Sequence, residues 1–413
     1  MNINEHMIAT MREATGALRD GRGNGAPAAT EAIQRTLREF LPNVAWPVNS
    51  PGRSVVTHEI DPVLQTTSGN AGLANSFVTE LLDGLHVRLN PNAPSQEISV
   101  LHPHRVPDTG TDAPARGRFI DGSYTNPFGT RTYKLYIPAS YQGQSLPLLV
   151  MLHGCTQNPD DFAAGTGMNA IAEEQECFVA YPSQEQSANH SRCWNWFKAL
   201  DQQREQGEPS IIAGMTRDII KTYHVDERQV FIAGMSSGGA MAVIMATTYP
   251  DLYAAVGVHS GLPYAAAQDL PSALAAMQSG ASATTAAPHI EGIPIIVFHG
   301  DKDRTVHPRN GEQIIARSLP RPAAQSSTEQ GKEPNGRAYQ RTIHRDANGQ
   351  PVGEHWVVHG TGHAWSGGSH RGTYTDPQGP DASRAMMRFF LDSEVRVPGD
   401  HGVDHDLVSA YTR

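Results

Sequence analysis

Gly234-Met235-Ser236-Ser237-Gly238 lies between an apolar run at residues 230–233 and a helix-compatible run at residues 239–246. The first run reads as a buried strand and the second as a helix, so the pentapeptide is the sharp corner between them, with Ser236 at its tip. A serine at such a corner is held in a strained backbone conformation. Side chains two residues to either side would collide with the crossing strand and helix, which is why glycine stands at both places. A bare Gly-x-Ser-x-Gly match recurs by chance; its position between strand and helix is what makes Ser236 a candidate nucleophile.

Two partners follow in a definite order. Residues 293–299 are apolar and β-branched, with Pro294 near the start, and read as a buried parallel strand. It runs into Gly300-Asp301-Lys302-Asp303-Arg304-Thr305-Val306. Residues 355–359 form a further strand ending in Gly360-Thr361-Gly362-His363-Ala364-Trp365. Serine, then acid, then histidine is the chain order of the α/β-hydrolases and of neither chymotrypsin nor subtilisin. A serine hydroxyl is a weak nucleophile until a neutral imidazole takes its proton, and a carboxylate fixes the tautomer of that imidazole. His363, between glycines and a late strand, is the candidate base; His359 is its rival, at a strand end that suits packing. Asp303 lies deeper in its loop and can turn toward the histidine. Asp301 follows the glycine directly and suits shaping the turn or accepting backbone N–H bonds.

Residues 146–152 are strongly apolar and read as a central strand, ending in His153-Gly154-Cys155-Thr156-Gln157. In this architecture a developing oxyanion is met by two backbone N–H groups, those of Ser237 and, from the loop after the earlier strand, Cys155. Further strands are expected at 131–137, 178–181, 254–258 and 339–344, and helices at 168–176 and 211–223. Asp346-Ala347-Asn348-Gly349 reads as the turn of a hairpin. Strands separated by helical segments predict a mostly parallel sheet covered by helices on both faces, with chemistry at the strands' carboxyl ends.

With these pieces in view, the chain resembles the poly(3-hydroxybutyrate) depolymerase family of esterases, which is related to feruloyl and acetylxylan esterases. The likeness spans roughly residues 131–391. It is carried by Leu152-His153-Gly154-Cys155-Thr156-Gln157, Cys193-Trp194-Asn195-Trp196, the Ser236 corner, His259-Ser260-Gly261-Leu262-Pro263-Tyr264, residues 299–306, Gly362-His363-Ala364-Trp365-Ser366-Gly367-Gly368, and Tyr374-Thr375-Asp376-Pro377 with Gly379-Pro380-Asp381. The resemblance implies a serine carboxylic-ester hydrolase acting on short-chain polyhydroxyalkanoate or its oligomers, with feruloyl or acetylxylan ester as the alternative substrate. It places the nucleophile on Ser236, the acid on Asp303, the base on His363 and the oxyanion donors on Cys155 and Ser237. It also implies that Cys155 and Cys193 lie together, with a disulfide between them as one outcome, and that the protein is extracellular.

Trp194, Trp196 and Trp365 are expected near this cleft, either as an apolar wall for the substrate or as cover for the core, with His259 beside them. Glu208 and Pro209 are further candidates for the same cleft. Of the three cysteines, Cys177 precedes a buried strand and reads as a small core residue.

The 413 residues carry a net charge of −10 without a basic stripe, which argues against a nucleic-acid partner. No apolar run is long enough to span a bilayer. There is no His-Glu-x-x-His or comparable ligand set, so neither metal nor cofactor is expected. The amino terminus lacks a basic segment followed by an apolar core, so a classical secretory leader is not expected and a cytoplasmic location stays open; a reducing cytosol would disfavour the disulfide. Residues 1–42 predict a helical appendage, with apolar stripes at 5–19 and 28–40 that could mediate self-association. Residues 43–118 form a linker-like region of low periodicity with one short helical stretch at 71–85. The hydrolase domain is expected at 119–395, followed by a tail at 396–413.

Overall fold

A computed structural model describes residues 117–282, 292–319 and 325–393. The expected amino-terminal helices, the low-periodicity region up to residue 116 and the tail at 396–413 lie outside the described residues. The chain opens with an antiparallel pair, β1 (Arg118–Asn126) and β2 (Gly129–Ile137). Then come β3 (Leu146–Leu152), α1 (Pro159–Thr166), α2 (Met168–Glu174), β4 (Phe178–Pro182) and a 3-10 turn at Ala199–Gln202. The middle of the fold is α3 (Gly207–Tyr223), β5 (Val225–Met235), α4 (Ser237–Thr248), β6 (Ala255–His259), α5 (Leu270–Ser279), β7 (Ile295–Gly300) and α6 (Arg309–Ser318). It closes with β8 (Gln325–Lys332), β9 (Ala338–Arg345), β10 (Pro351–Val358), the two-residue strands β11 (Trp365–Ser366) and β12 (Thr375–Asp376), and α7 (Ala382–Asp392).

Ten strands form one sheet in the order β1-β2-β4-β3-β5-β6-β7-β10-β9-β8. The pairs from β4 through β3, β5, β6 and β7 to β10 are all parallel, and antiparallel strands finish both ends. The parallel centre follows from side-chain alternation. Leu148, Val150, Ile232, Val256, Val258, Ile295 and Val297 join one buried cluster with residues of α3, α4, α5 and α6. Their neighbours Leu149, Met151, Phe231, Ala233, Ile296 and Phe298 join a second cluster with residues of α1, α2 and α7. Both faces are covered, so these strands read as continuous apolar runs rather than alternating ones. Helix α4 is buried from Ser237 to Ala246, which matches its uninterrupted small and apolar composition.

Some elements differ from the sequence expectation. Helix α3 begins at Gly207, so Glu208 and Pro209 sit in its first turn rather than in a loop. Helix α1 carries signals that a closer reading could have used: Asn158 caps it by accepting from the Asp161 N–H at 2.9 Å, and Pro159 occupies the first turn. Helix α7 is likewise capped by Asp381, which accepts from the Arg384 N–H at 2.9 Å. Strand β8 has no such signal, because it is polar and exposed on nearly every residue. It pairs with β9 along its whole length. The Asp346–Gly349 hairpin lies between β9 and β10 as expected.

Candidate active site

Strand β5 delivers Ser236 to a corner at its carboxyl end, where the residue has φ 56° and ψ −120°. Such a conformation in a non-glycine residue costs of order 1–3 kcal/mol and needs surrounding structure to hold it. That structure is present. The Ser236 N–H donates to the His259 carbonyl at 2.9 Å, and the Ser236 carbonyl accepts from Ala240 at 2.9 Å. A Cβ on Gly234 would lie 2.4 Å from the Gly238 carbonyl, and one on Gly238 would lie 2.0 Å from the Leu152 carbonyl oxygen. The two glycines therefore let the strand and helix cross at backbone contact.

Asp303 and His363 come from the loops after β7 and β10, which are adjacent in the sheet. The His363 Nδ1 lies 2.7 Å from Asp303 Oδ2. Asp303 Oδ1 accepts the N–H groups of Thr305 and Val306, each at 2.9 Å. Its side chain is wholly buried, and that of His363 is 11% exposed. Burial pushes the Asp303 carboxyl pKa up, but hydrogen bonds from His299 and His363 outweigh it and hold the group well below the ordinary range. A carboxylate only accepts, so Nδ1 of His363 carries the proton of this bond, and in a neutral imidazole so held Nε2 is the nitrogen with the lone pair. Asp301 accepts the Gly360 N–H at 2.7 Å, a backbone bond of the kind expected of it. It also pairs with His359 Nδ1 at 3.0 Å. His359 was expected to pack at its strand end; instead its side chain is 45% exposed and faces Asp301.

The loop after β3 leaves one amide uncommitted. The Gly154 N–H donates to Gln157 Oε1 at 2.9 Å, Thr156 to the Ser191 carbonyl at 2.6 Å and Gln157 to the Gly154 carbonyl at 3.3 Å. Among the described residues the Cys155 N–H has no such acceptor. Ser237 is the first residue of α4, so its N–H also lacks an intrahelical acceptor. A disulfide joins Cys155 to Cys193. The segment beyond Cys193 is held in turn: Trp194 Nε1 donates to the His153 carbonyl at 3.1 Å, and the Asn195 N–H donates to Glu208 Oε2 at 2.7 Å. Glu208 is buried and also accepts from Asn195 Nδ2, Gln184 Nε2 and Arg131. Cys177 is a free, buried thiol, and burial pushes its pKa up to about 12.

The four residues considered for substrate contact lie inside. Trp194 and His259 are 0% exposed, Trp365 is 1% and Trp196 is 6%. Trp194 and Trp196 belong to one core cluster and Trp365 to the other. The indole N–H of Trp365 finds its partner within the fold, Ser383 Oγ at 3.0 Å. Two residues missed in the sequence are near the Asp303–His363 pair. His299 Nε2 lies 2.8 Å from the Val306 carbonyl and 3.5 Å from Asp303 Oδ2. Tyr374 places its ring 6.5 Å from that of His363 and its hydroxyl 3.1 Å from Thr156 Oγ1. Tyr374 heads a quoted motif, yet nothing in its local sequence indicates that neighbourhood. Among the described residues no group of three or more histidine, cysteine, aspartate or glutamate side chains could hold a metal ion.

Comparison with known proteins narrows the chemistry. Residues 131–329 match the family described as esterase PHB depolymerase. Poly(3-hydroxyalkanoate) depolymerase C of Paucimonas lemoignei is 30% identical over 283 residues, covering 66% of this chain and 65% of that protein. Acetylxylan esterase A of Aspergillus oryzae is 27% identical over 205 residues, covering 46% of this chain and 65% of that protein. The chain thus spans slightly less than two thirds of the length of these relatives. The solved acetyl xylan esterase from Aspergillus awamori covers 66% of this chain and 99% of its own at TM-score 0.50 and 20% identity, a likeness of fold. The chain therefore bears a family resemblance to the poly(3-hydroxybutyrate) depolymerase esterases and to the acetylxylan esterases.

Proposed function

We propose that this chain is a serine carboxylic-ester hydrolase working through an acyl-enzyme on Ser236, with short-chain polyhydroxyalkanoate or its oligomers as substrate. The observation that carries the reading is the buried 2.7 Å hydrogen bond between Asp303 and His363, on the two loops expected to hold acid and base. His363 Nε2 takes the Ser236 proton as the hydroxyl oxygen attacks the ester carbonyl. The carbonyl oxygen becomes an oxyanion met by the N–H groups of Cys155 and Ser237. Collapse breaks the ester C–O bond, and His363 returns the proton to the departing alcohol. A water deprotonated by His363 then attacks the acyl-enzyme, and a second collapse releases the acid and restores Ser236. Every proton and charge in this cycle is handled by a side chain or amide of the chain itself.

The polyester preference rests on the matched family and on the Paucimonas relative. Acetylated xylan is the second reading, favoured by the Aspergillus relative. The test has two arms. Ser236→Ala is expected to lose at least about 10⁴-fold in hydrolysis of a short p-nitrophenyl ester while keeping its unfolding midpoint; retention of most activity would overturn the mechanism. On the unmodified protein, kcat/KM for soluble 3-hydroxybutyrate oligomers is expected to exceed that for acetylated xylan or methyl ferulate. A tenfold preference the other way would transfer the assignment to the second reading.

A further inference from the structure

His259 ends β6 and is fully buried, yet it makes polar contact in two directions. Its carbonyl accepts the N–H of Ser236, the corner residue itself, at 2.9 Å. Its ring Nε2 lies 3.0 Å from the N–H of Ser366, three residues beyond His363. A ring nitrogen that accepts carries no proton, so the His259 proton is on Nδ1, which faces Ser260 Oγ at 3.2 Å. The ring is stacked between Phe298, with centroids 5.8 Å apart, and Trp365, with centroids 5.1 Å apart. The whole residue is 0% exposed.

We propose that His259 is a positioning residue, whose imidazole ties the loop bearing His363 to the corner bearing Ser236 and so fixes the distance between base and nucleophile. The inference rests on the reading of Ser236, Asp303 and His363 as a triad. The reasoning is geometric. Only Ala364 and Trp365 separate His363 from the anchored Ser366 amide, and the Ala364 N–H folds back onto the Gly362 carbonyl at 3.0 Å. A loop this short, fixed at Ser366, has little room to carry its histidine away from Asp303. At the other end, the Ser236 bond goes to the backbone carbonyl of the same residue, so one residue links both halves of the site, its ring holding the Ser366 amide and its carbonyl holding Ser236. Burial supports the same tautomer by holding the imidazole neutral, with its pKa lowered to about 3.

A side chain that only filled space would be replaceable by any apolar group of similar volume. A positioning acceptor would not be. His259→Leu keeps the bulk and removes the acceptor; His259→Gln can place its amide oxygen where Nε2 stood. The expected result on a soluble p-nitrophenyl ester is a kcat lower by about 10²-fold in His259→Leu with KM changed less than about threefold, and recovery to within about fivefold in His259→Gln. The proposal fails if His259→Leu keeps the parent kcat, or if both variants lose kcat equally. Should His259→Leu not fold, His259→Gln decides alone: near-parent kcat supports the tie, and a 10²-fold loss overturns it. Ser236→Ala measured alongside separates the two readings. If that variant stays active the triad itself falls, whereas an inactive Ser236→Ala beside a fully active His259→Leu removes only the present inference.

Discussion

Two aspartate–histidine pairs stand close together beyond strands β7 and β10, built from the same residue types, the aspartates two positions apart and the histidines four. Asp303 and His363 approach to 2.7 Å, Asp301 and His359 to 3.0 Å, so hydrogen-bond length hardly separates them. Surroundings do. The Asp303 side chain is 0% exposed and receives two backbone N–H bonds besides its histidine. Asp301 and His359 are 32% and 45% exposed. In water the exposed pair is screened and contributes little, whereas the buried one keeps its carboxylate charged with a fixed partner. A general base needs a ring held in one tautomer and one direction, and only the buried pair supplies both.

The contrast predicts unequal effects from identical substitutions. Asp303→Asn is expected to reduce kcat/KM for a soluble ester by about 10³–10⁴-fold, because an amide can stabilise the wrong histidine tautomer and cannot stabilise the imidazolium. Asp301→Asn is expected to stay within about threefold. The opposite ranking in steady-state kinetics would break the comparison and move the acid to Asp301.

Stability should follow the same division between buried and exposed carboxylates. Glu208 accepts from Arg131, Gln184 and Asn195 in the interior, so Glu208→Ala strands a buried guanidinium and several donors. A loss of about 3–5 kcal/mol in urea unfolding is expected. His359→Ala, at the exposed pair, should cost no more than about 0.5 kcal/mol. Equal losses would mean that the Glu208 network is not held as tightly as its contacts imply.

Imidazoles give a graded effect, spread over pH rather than concentrated in one substitution. Burial lowers the pKa values of His153 and His355 to about 4 and that of His259 to about 3. Unfolded histidine titrates near 6.5, so as pH falls below that value the unfolded chain binds protons that the folded chain refuses. Their contribution to stability is therefore complete above about pH 6.5 and is lost as pH falls toward 4 and then 3. Each histidine should add roughly 1.4 kcal/mol per pH unit to that loss while its folded form stays neutral. Chemical denaturation at pH 7, 6, 5 and 4.5 checks the slope. A flat profile would place these rings in contact with water, like His359.

Several parts of the site were legible because they depend on local pattern. The Ser236 corner is written in glycine spacing, since the backbone contacts at Gly234 and Gly238 leave no room for a Cβ. The Asp303 loop is written in an apolar run followed by glycine, because a buried parallel strand has to be apolar on both faces. Strand β8 was illegible for the opposite reason: with both faces in water it has no periodicity to read, and its pairing with β9 alone makes it a strand. The tryptophans read as candidates for wall or core, and all three are buried. Side-chain chemistry permits either role, and only the packing around each indole chooses.

The sequence by itself determined the order of Ser236, Asp303 and His363 and the strand ends that carry them. It did so because chain order and alternation are properties of one dimension. The tertiary structure decided which carboxylate loses its water, that Cys155 is bonded to Cys193, and that the His259 ring faces the Ser366 amide. Those are matters of distance between residues far apart in the chain. Strand order in the sheet sets such distances, and local sequence does not encode them.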